Sequence, residues 1–266
     1  MYNVEKISNW DIRVNMETNK PCELYVDTFP TTEKKSIRIL WVVEPDEVSR
    51  IKDVVLGRYN EFDLILTFDT DILEKCPNAK LHTFGMTWIL DYDLNQEKEF
   101  CVTSLVGGKQ LSQNHLLRQQ LPQIKNKVTN IPVHLFNSIN NPFNGEGIDK
   151  KMKDGDRKNE LFYSQFHIAI ENFSKKDFFT EKLMDCFQTK TIPIYMGCTN
   201  IGDYFDIQGM FIVNNLEDID AVCNSLTPQT YEEMKPFVEK NYELSQSHAH
   251  FRERLKETVI NYVNNF

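Results

Sequence analysis

The 266-residue chain lacks any apolar run near the roughly 20 residues that span a bilayer. Its polar first residues, MYNVEKISNW, carry no basic-then-apolar leader pattern. The expectation is a soluble, cytoplasmic protein with no membrane span. Cysteine is present but unpatterned: Cys22, Cys76, Cys101, Cys186, Cys198 and Cys223 form no CxxC pair and no His/Cys metal spacing. Lying mostly in apolar runs, they read as reduced core thiols of a cytosolic-type setting. No glycine-rich phosphate loop, HExxH or GxSxG occurs. Positive charge is also short. A net charge of -9 argues against general nucleic-acid or anionic-membrane binding. An acidic chain that handles an anion must gather a few Lys and Arg in one place. No internal repeat or low-complexity tract interrupts the chain.

What is present concentrates in residues 164–197, SQFHIAIENFSKKDFFTEKLMDCFQTKTIPIYMG. FHIAI (166–170) is the continuous apolar run of a buried parallel strand, closed by Glu171 and Asn172. After a polar loop, Thr180 is a good N-cap for a helix with Leu183, Met184 and Phe187 on one side. IPIYM (192–196) is a second apolar β run, stopped by Gly197. Strand, loop, helix and strand make a βαβ unit. In such sheets ligands bind beyond the carboxyl ends of the strands, where loops meet helix N-termini. Glu171, Asn172, Glu181 and Lys182 all fall at that edge.

Along the rest of the chain, strands are expected at 36–43, 62–66, 80–84, 88–90, 100–105, 131–136 and 210–213. Helices are expected at 48–56, 112–123 and 217–226, with two more in the tail. Residues 1–35 are the least legible, with alternation only around 10–14 and 24–26. Strands alternating with helices predict a two-domain α/β protein, and the charged stretch 91–99 is the natural boundary. Residues 137–160 form a Gly-, Asn- and Lys-rich loop too long to be idle in a compact domain. The last helix carries Phe251, Leu255, Val259, Tyr262, Val263 and Phe266 on one side, so it needs a surface to cover.

Several side chains could do chemistry, each with a plainer alternative. Lys182 falls in the first helical turn, where the macrodipole disfavours a cation. A diphosphate at that helix start reverses the preference, whereas pairing with Asp185 one turn on makes Lys182 an ordinary surface lysine. Glu181 suits a helix N-terminus in any case. Glu171 and Asn172 are placed for sugar hydroxyls, although loop bonding explains the Asn equally. Glu44 closes the first firm strand and has a carboxylate suited to a general base; the alternative is a solvated loop acid. Arg118 either reaches a phosphate or sits exposed on its helix. Asp69-Thr70-Asp71 and Asp91-Tyr92-Asp93 imitate a metal-binding DxD in a chain rich in Asp. His248 and His250 stand about 200° apart on a helix, which does not favour joint metal ligation.

The stretch 166–197 resembles the C-terminal signature of glycosyltransferase family 10, the α-1,3-fucosyltransferases, which reads approximately F-x-x-x-F-E-N-S, a short loop, Y-V-T-E-K, a helix and V/I-P-I-x-W-G. Glu171-Asn172, Thr180-Glu181-Lys182 and Pro193-Ile194-Tyr195-x-Gly197 keep its spacing. Weaker similarity covers 100–137, with Ser104 and Arg118, and 40–71. The resemblance implies a GT-B fold, two Rossmann-like domains around a cleft. Residues 1–97 would be the acceptor domain and 98–245 the nucleotide-sugar domain, with 246–266 a helix crossing back to the first.

It further implies inverting transfer of fucose from GDP-fucose to a glycan hydroxyl, with no metal. Glu44 would be the base. Arg118 and Lys182 would neutralise the departing diphosphate, and Glu171, Asn172, Phe178, Thr180 and Glu181 would complete the donor site. A UDP-xylose donor in an exostosin-like enzyme, and a carbohydrate-binding protein without catalysis, are the alternatives. Phe178 replaces the family's usual tyrosine, Phe173 its serine and Met196 its tryptophan. These departures bear on donor identity more than on glycosyl transfer.

Overall fold

The computed structural model describes residues 1–8, 14–89, 91–152 and 158–266. Most of the alternation at 10–14, and Leu90 of the strand expected at 88–90, lie outside those residues. The chain divides into two units, Met1–Phe84 with His250–Phe266, and Gly85–Ala249. The division therefore falls earlier than the charged stretch 91–99. Residues 85–89 go with the second unit, because Thr87 Oγ1 and the Trp88 N–H both donate to the Asp185 carboxylate, at 2.7 and 2.8 Å.

The first unit begins with a short antiparallel pair, β1 (Tyr2–Asn3) with β3 (Glu17–Thr18). Its main sheet is parallel throughout and holds β2 (Glu5–Ser8), β4 (Cys22–Val26), β5 (Ile37–Trp41), β6 (Leu64–Thr67) and β7 (Ala79–Leu81), in that order. Alternation along the strands splits their side chains between two cores. Tyr25, Leu40 and Ile65 face the crossover helices through Val55 and Ile72. Leu24, Val26, Ile39, Trp41, Leu64 and Leu66 face the opposite way, and Leu255, Val259 and Val263 of the C-terminal helix Phe251–Asn265 bury them. The i, i+4, i+8 spacing of those three residues gives that helix its apolar stripe.

The second unit carries a six-stranded, wholly parallel sheet of β8 (Glu99–Val106), β9 (Val133–Asn137), β10 (Lys150–Lys151), β11 (Ser164–Ile170), β12 (Ile192–Met196) and β13 (Phe211–Ile212). The order is β10-β9-β8-β11-β12-β13. The chain winds outward from β8 in one direction and then returns to build the other half from β11. In open α/β sheets of this kind the ligand crevice lies beyond the carboxyl ends of the two strands flanking the reversal, here β8 and β11.

Two expected helices are each broken in two. The one expected over 48–56 is Asp46–Ser49 followed by Lys52–Arg58, interrupted at Arg50 with φ 53°. The one expected over 112–123 is Gln113–Arg118, capped by Ser112, followed by Leu121–Lys127 with a proline in its first turn. No strand forms at residues 88–89. Among the described residues, no helix is long and apolar enough to cross a membrane.

Candidate functional site

The site is built where β8 and β11 end. β11 stops at Ile170, and the Glu171 N–H still bonds to the Met196 carbonyl at 2.8 Å, so the residue after the strand is held as firmly as the strand itself. The Glu171 side chain is 0% exposed. One carboxylate oxygen accepts the Thr180 N–H and the other the Thr180 hydroxyl, both at 2.7 Å. Thr180 in turn caps the helix Glu181–Gln188. Glu171 is therefore spent inside the protein, fixing the start of this helix, and does not present its carboxylate to sugar hydroxyls. Gly197 makes room for it: a Cβ at that position would lie 2.4 Å from Glu171 Cγ and 2.4 Å from the Tyr195 hydroxyl. The glycine closing the IPIYMG motif thus has a steric reason.

Lys182 does not pair with Asp185. Its ammonium lies 3.0 Å from Glu181 Oε1, 3.2 Å from Thr180 Oγ1 and 3.7 Å from Glu171 Oε2. These oxygens offset the unfavourable position of a cation in a first turn. Burial pushes the Glu171 carboxyl above its ordinary value, with Lys182 opposing. Burial also acts upward on Glu181, but Lys182 and Lys158 outweigh it and hold that carboxyl well below its usual range. Asp185 faces inward at 1% exposure; burial raises it to about 6 against the pull of Lys158.

Arg118 ends the helix that follows β8, and its Nη2 donates to Asn172 Oδ1 at 2.7 Å. Burial lowers its pKa, opposed by Glu171 and Glu181. Asn114, on the same helix, donates to the Glu171 carbonyl at 3.0 Å. The loop after β8 and the loop after β11 are thus bonded to each other across the strand-order reversal. His115, next to Asn114, shares a 2.6 Å hydrogen bond with Ser112, and burial followed by repulsion from Arg118 and Lys182 lowers its pKa to about 4. Arg118, Asn172, Glu181 and Lys182 remain half-buried here. Phe178 is 3% exposed, so its ring offers little surface for stacking.

Glu44 lies in the first unit, just beyond the end of β5. The carboxylate of Asp27 accepts the N–H groups of Val43 and Glu44, at 2.9 and 3.2 Å, and so fixes the backbone there. Burial raises Asp27 to about 6; the two backbone bonds oppose this and Glu44 adds to it. Three of the four acids of the two DxD sequences have local partners for their side chains. Asp69 caps the helix Thr70–Lys75, Asp71 pairs with Lys52 and Lys75, and Asp93 accepts the Asn95 N–H. Among the described residues, no three His, Cys, Asp or Glu side chains gather as a metal site.

Lys158, from the end of the long loop, was invisible to sequence reasoning. It stands 23 positions from Glu181, beside residues of no motif, yet its ammonium lies 3.4 Å from Glu181 Oε1 and 3.6 Å from Asp185 Oδ2.

A family model described as glycosyltransferase family 10 (fucosyltransferase), C-terminal part, matches residues 97–235, just over half of the chain. The chain belongs to glycosyltransferase family 10. Its match contains every site residue of the second unit named above that the family signature carries. No curated protein matches by sequence.

Among solved structures, an α1,3-fucosyltransferase shares 15% identity at a TM-score of 0.52, over 89% of this chain and 78% of that one. With GDP the α1,3-fucosyltransferase structure gives 15% and 0.50, over 88% and 77%. The E. coli trehalose-6-phosphate structure with UDP-2-fluoro glucose gives 6% and 0.61, over 94% and 74%. At these identities the likeness is one of fold, and the fold is GT-B. A family 10 chain with this fold is a glycosyltransferase that uses a nucleotide-sugar donor. Since the similar structures hold different nucleotides, the fold alone does not choose between GDP and UDP.

Proposed function

We propose that this family 10 chain is an inverting glycosyltransferase that moves fucose from GDP-fucose to a hydroxyl of a glycan acceptor. One observation carries the reading: Arg118 and Lys182, from two different helices, meet consecutive residues, Asn172 and Glu171, at the strand-order reversal of the second unit. In an acidic protein this is the local gathering of positive charge that a diphosphate requires.

In the proposed reaction the acceptor oxygen attacks the anomeric carbon while the bond to the diphosphate oxygen breaks, its electron pair leaving with the diphosphate. The hydroxyl proton passes to Glu44 as general base. Arg118 and Lys182 take up the developing charge, aided by the helix N-terminus. Pre-placed, partly desolvated cations are among the larger sources of transition-state stabilisation. Asn172 and Glu181 hold hydroxyls of the sugar or ribose, and Glu171 and Thr180 act behind them by fixing the helix start. In this scheme no metal takes part, and full activity in EDTA is the expected outcome.

The donor is tested with a panel of nucleotide sugars, reading release of GDP or UDP and the anomeric configuration of the product. GDP release from GDP-fucose with inversion supports the reading. Turnover of a UDP-sugar alone favours the exostosin-like alternative. Sugar binding with no nucleotide released contradicts both.

A further inference from the structure

Around the start of the helix Glu181–Gln188 five charges alternate in sign: Asp185, Lys158, Glu181, Lys182 and Glu171. Adjacent pairs are separated by 3.6, 3.4, 3.0 and 3.7 Å. Glu181 is the middle of this row, and one of its oxygens, Oε1, faces both ammonium groups. At the other end, Asp185 Oδ2 is buried and makes no hydrogen bond, so the Lys158 ammonium is its close counter-charge.

The consequence appears when an anion arrives. To meet a diphosphate, Lys182 must turn its ammonium away from Glu181 and Glu171. A carboxylate stripped of its counter-ion in a poorly solvated place is strongly destabilising. Glu171 keeps the Thr180 N–H and hydroxyl. Glu181 has a second cation on its far side, Lys158.

We propose that Lys158 is a positioning residue for donor binding: by neutralising Glu181 from the far side, it frees Lys182 for the diphosphate of the donor. The lysine is delivered by the short helical turn Lys158–Leu161, just before β11. It rests on the assignment of Lys182 to the diphosphate, and the test separates the two. Lys158 itself touches no substrate.

The test is calorimetric titration of GDP and of UDP into the whole chain, using Lys158→Met, Lys158→Arg, Glu181→Gln, Lys158→Met combined with Glu181→Gln, and Lys182→Ala. Coupling within such a network changes affinity on the order of ten-fold. Lys158→Met is expected to weaken the binding nucleotide by about that factor, and Lys158→Arg to restore it. In the Glu181→Gln background, Lys158→Met is expected to change affinity by less than about two-fold, because of the two acids that Lys158 balances, Glu181 and Asp185, only Glu181 pairs with Lys182. A residue that merely holds the loop in place would weaken binding equally in both backgrounds and would not depend on the Glu181 charge; that result overturns the proposal. So does wild-type affinity in Lys158→Met when Lys182→Ala is impaired, which leaves the site assignment standing. Wild-type affinity in Lys182→Ala removes the assignment and the proposal together.

Discussion

The two main sheets are both parallel, yet only that of the second unit has the topology of a ligand crevice. In the first unit the order β2-β4-β5-β6-β7 runs in one direction without reversal. In the second, the order reverses at β8 and β11. The side chains follow that difference. Beyond β8 and β11 lie two cations, two amides and two acids linked by hydrogen bonds and ion pairs. Beyond β4 and β5 lie two acids, Asp27 and Glu44, with Asp27 bonded to the backbone that carries Glu44. An edge that presents two cations suits a departing diphosphate, and an edge with acids alone suits a base. In the proposed function this contrast is a division of labour, with the donor assigned to the second unit and the proton acceptor to the first.

The sharpest way to break this contrast is to neutralise the first edge. Glu44→Gln is expected to lower kcat by about 10²–10⁴-fold, the range of a lost general base, while the dissociation constant of the nucleotide stays at the wild-type value. Substantial residual turnover would remove Glu44 from the mechanism and with it half of the comparison.

A smaller effect is expected from steric disturbance of the second edge. Gly197→Ala puts a methyl group against Glu171 Cγ and the Tyr195 hydroxyl, and overpacking of this kind costs about 1–3 kcal/mol. Denaturant unfolding should show that loss together with weaker nucleotide binding. Unchanged stability would mean that Glu171 can shift freely and does not fix the helix start.

The acid beneath Glu44 is read out by pH. Burial holds Asp27 at about 6 against an ordinary 3.8, so the folded state keeps that proton longer than the unfolded chain. Its contribution to stability is complete below the ordinary value and is lost as the pH rises to about 6. Unfolding free energies measured between these limits should fall less steeply with pH in Asp27→Asn than in the wild type. Identical slopes would contradict the burial of a titrating group there.

The smallest effect is expected from the DxD sequence at Asp69 to Asp71. Asp71 forms solvent-screened ion pairs with Lys52 and Lys75, so Asp71→Asn should leave the denaturant midpoint almost unchanged. In the proposed metal-free scheme it should leave turnover in EDTA unchanged. Loss of activity would reopen a metal-dependent mechanism.

Much of the site's frame was legible because its residues are close in sequence. FHIAI and IPIYM are continuous apolar runs, and Thr180 is a local capping signal; the strands and helix formed where these lie. The two broken helices escaped because apolar spacing carries on across each break. Leu117, Leu121 and Ile124 pack against one core although the chain stops being helical between Arg118 and Leu121. Electrostatic partners were less legible still. Lys182 and Asp185 have the spacing of a surface pair, but in this short helix Leu183, Met184, Asp185, Cys186 and Phe187 are all buried. Asp185 consequently bonds Thr87 and Trp88, nearly one hundred positions away. Glu171 reads as an open loop carboxylate, and only the packing of Gly197 and Thr180 around it reveals an internal one.

The central claim is that the strand-order reversal of the second unit binds the nucleotide through Arg118 and Lys182. Its most direct test is the dissociation constant of GDP and UDP for the wild type and for Arg118→Ala, measured by titration on the whole chain. Saturable binding of one nucleotide that weakens on the order of ten-fold or more in the variant, equivalent to about 1.4 kcal/mol, is the predicted result. Equal affinity in wild type and variant would contradict it.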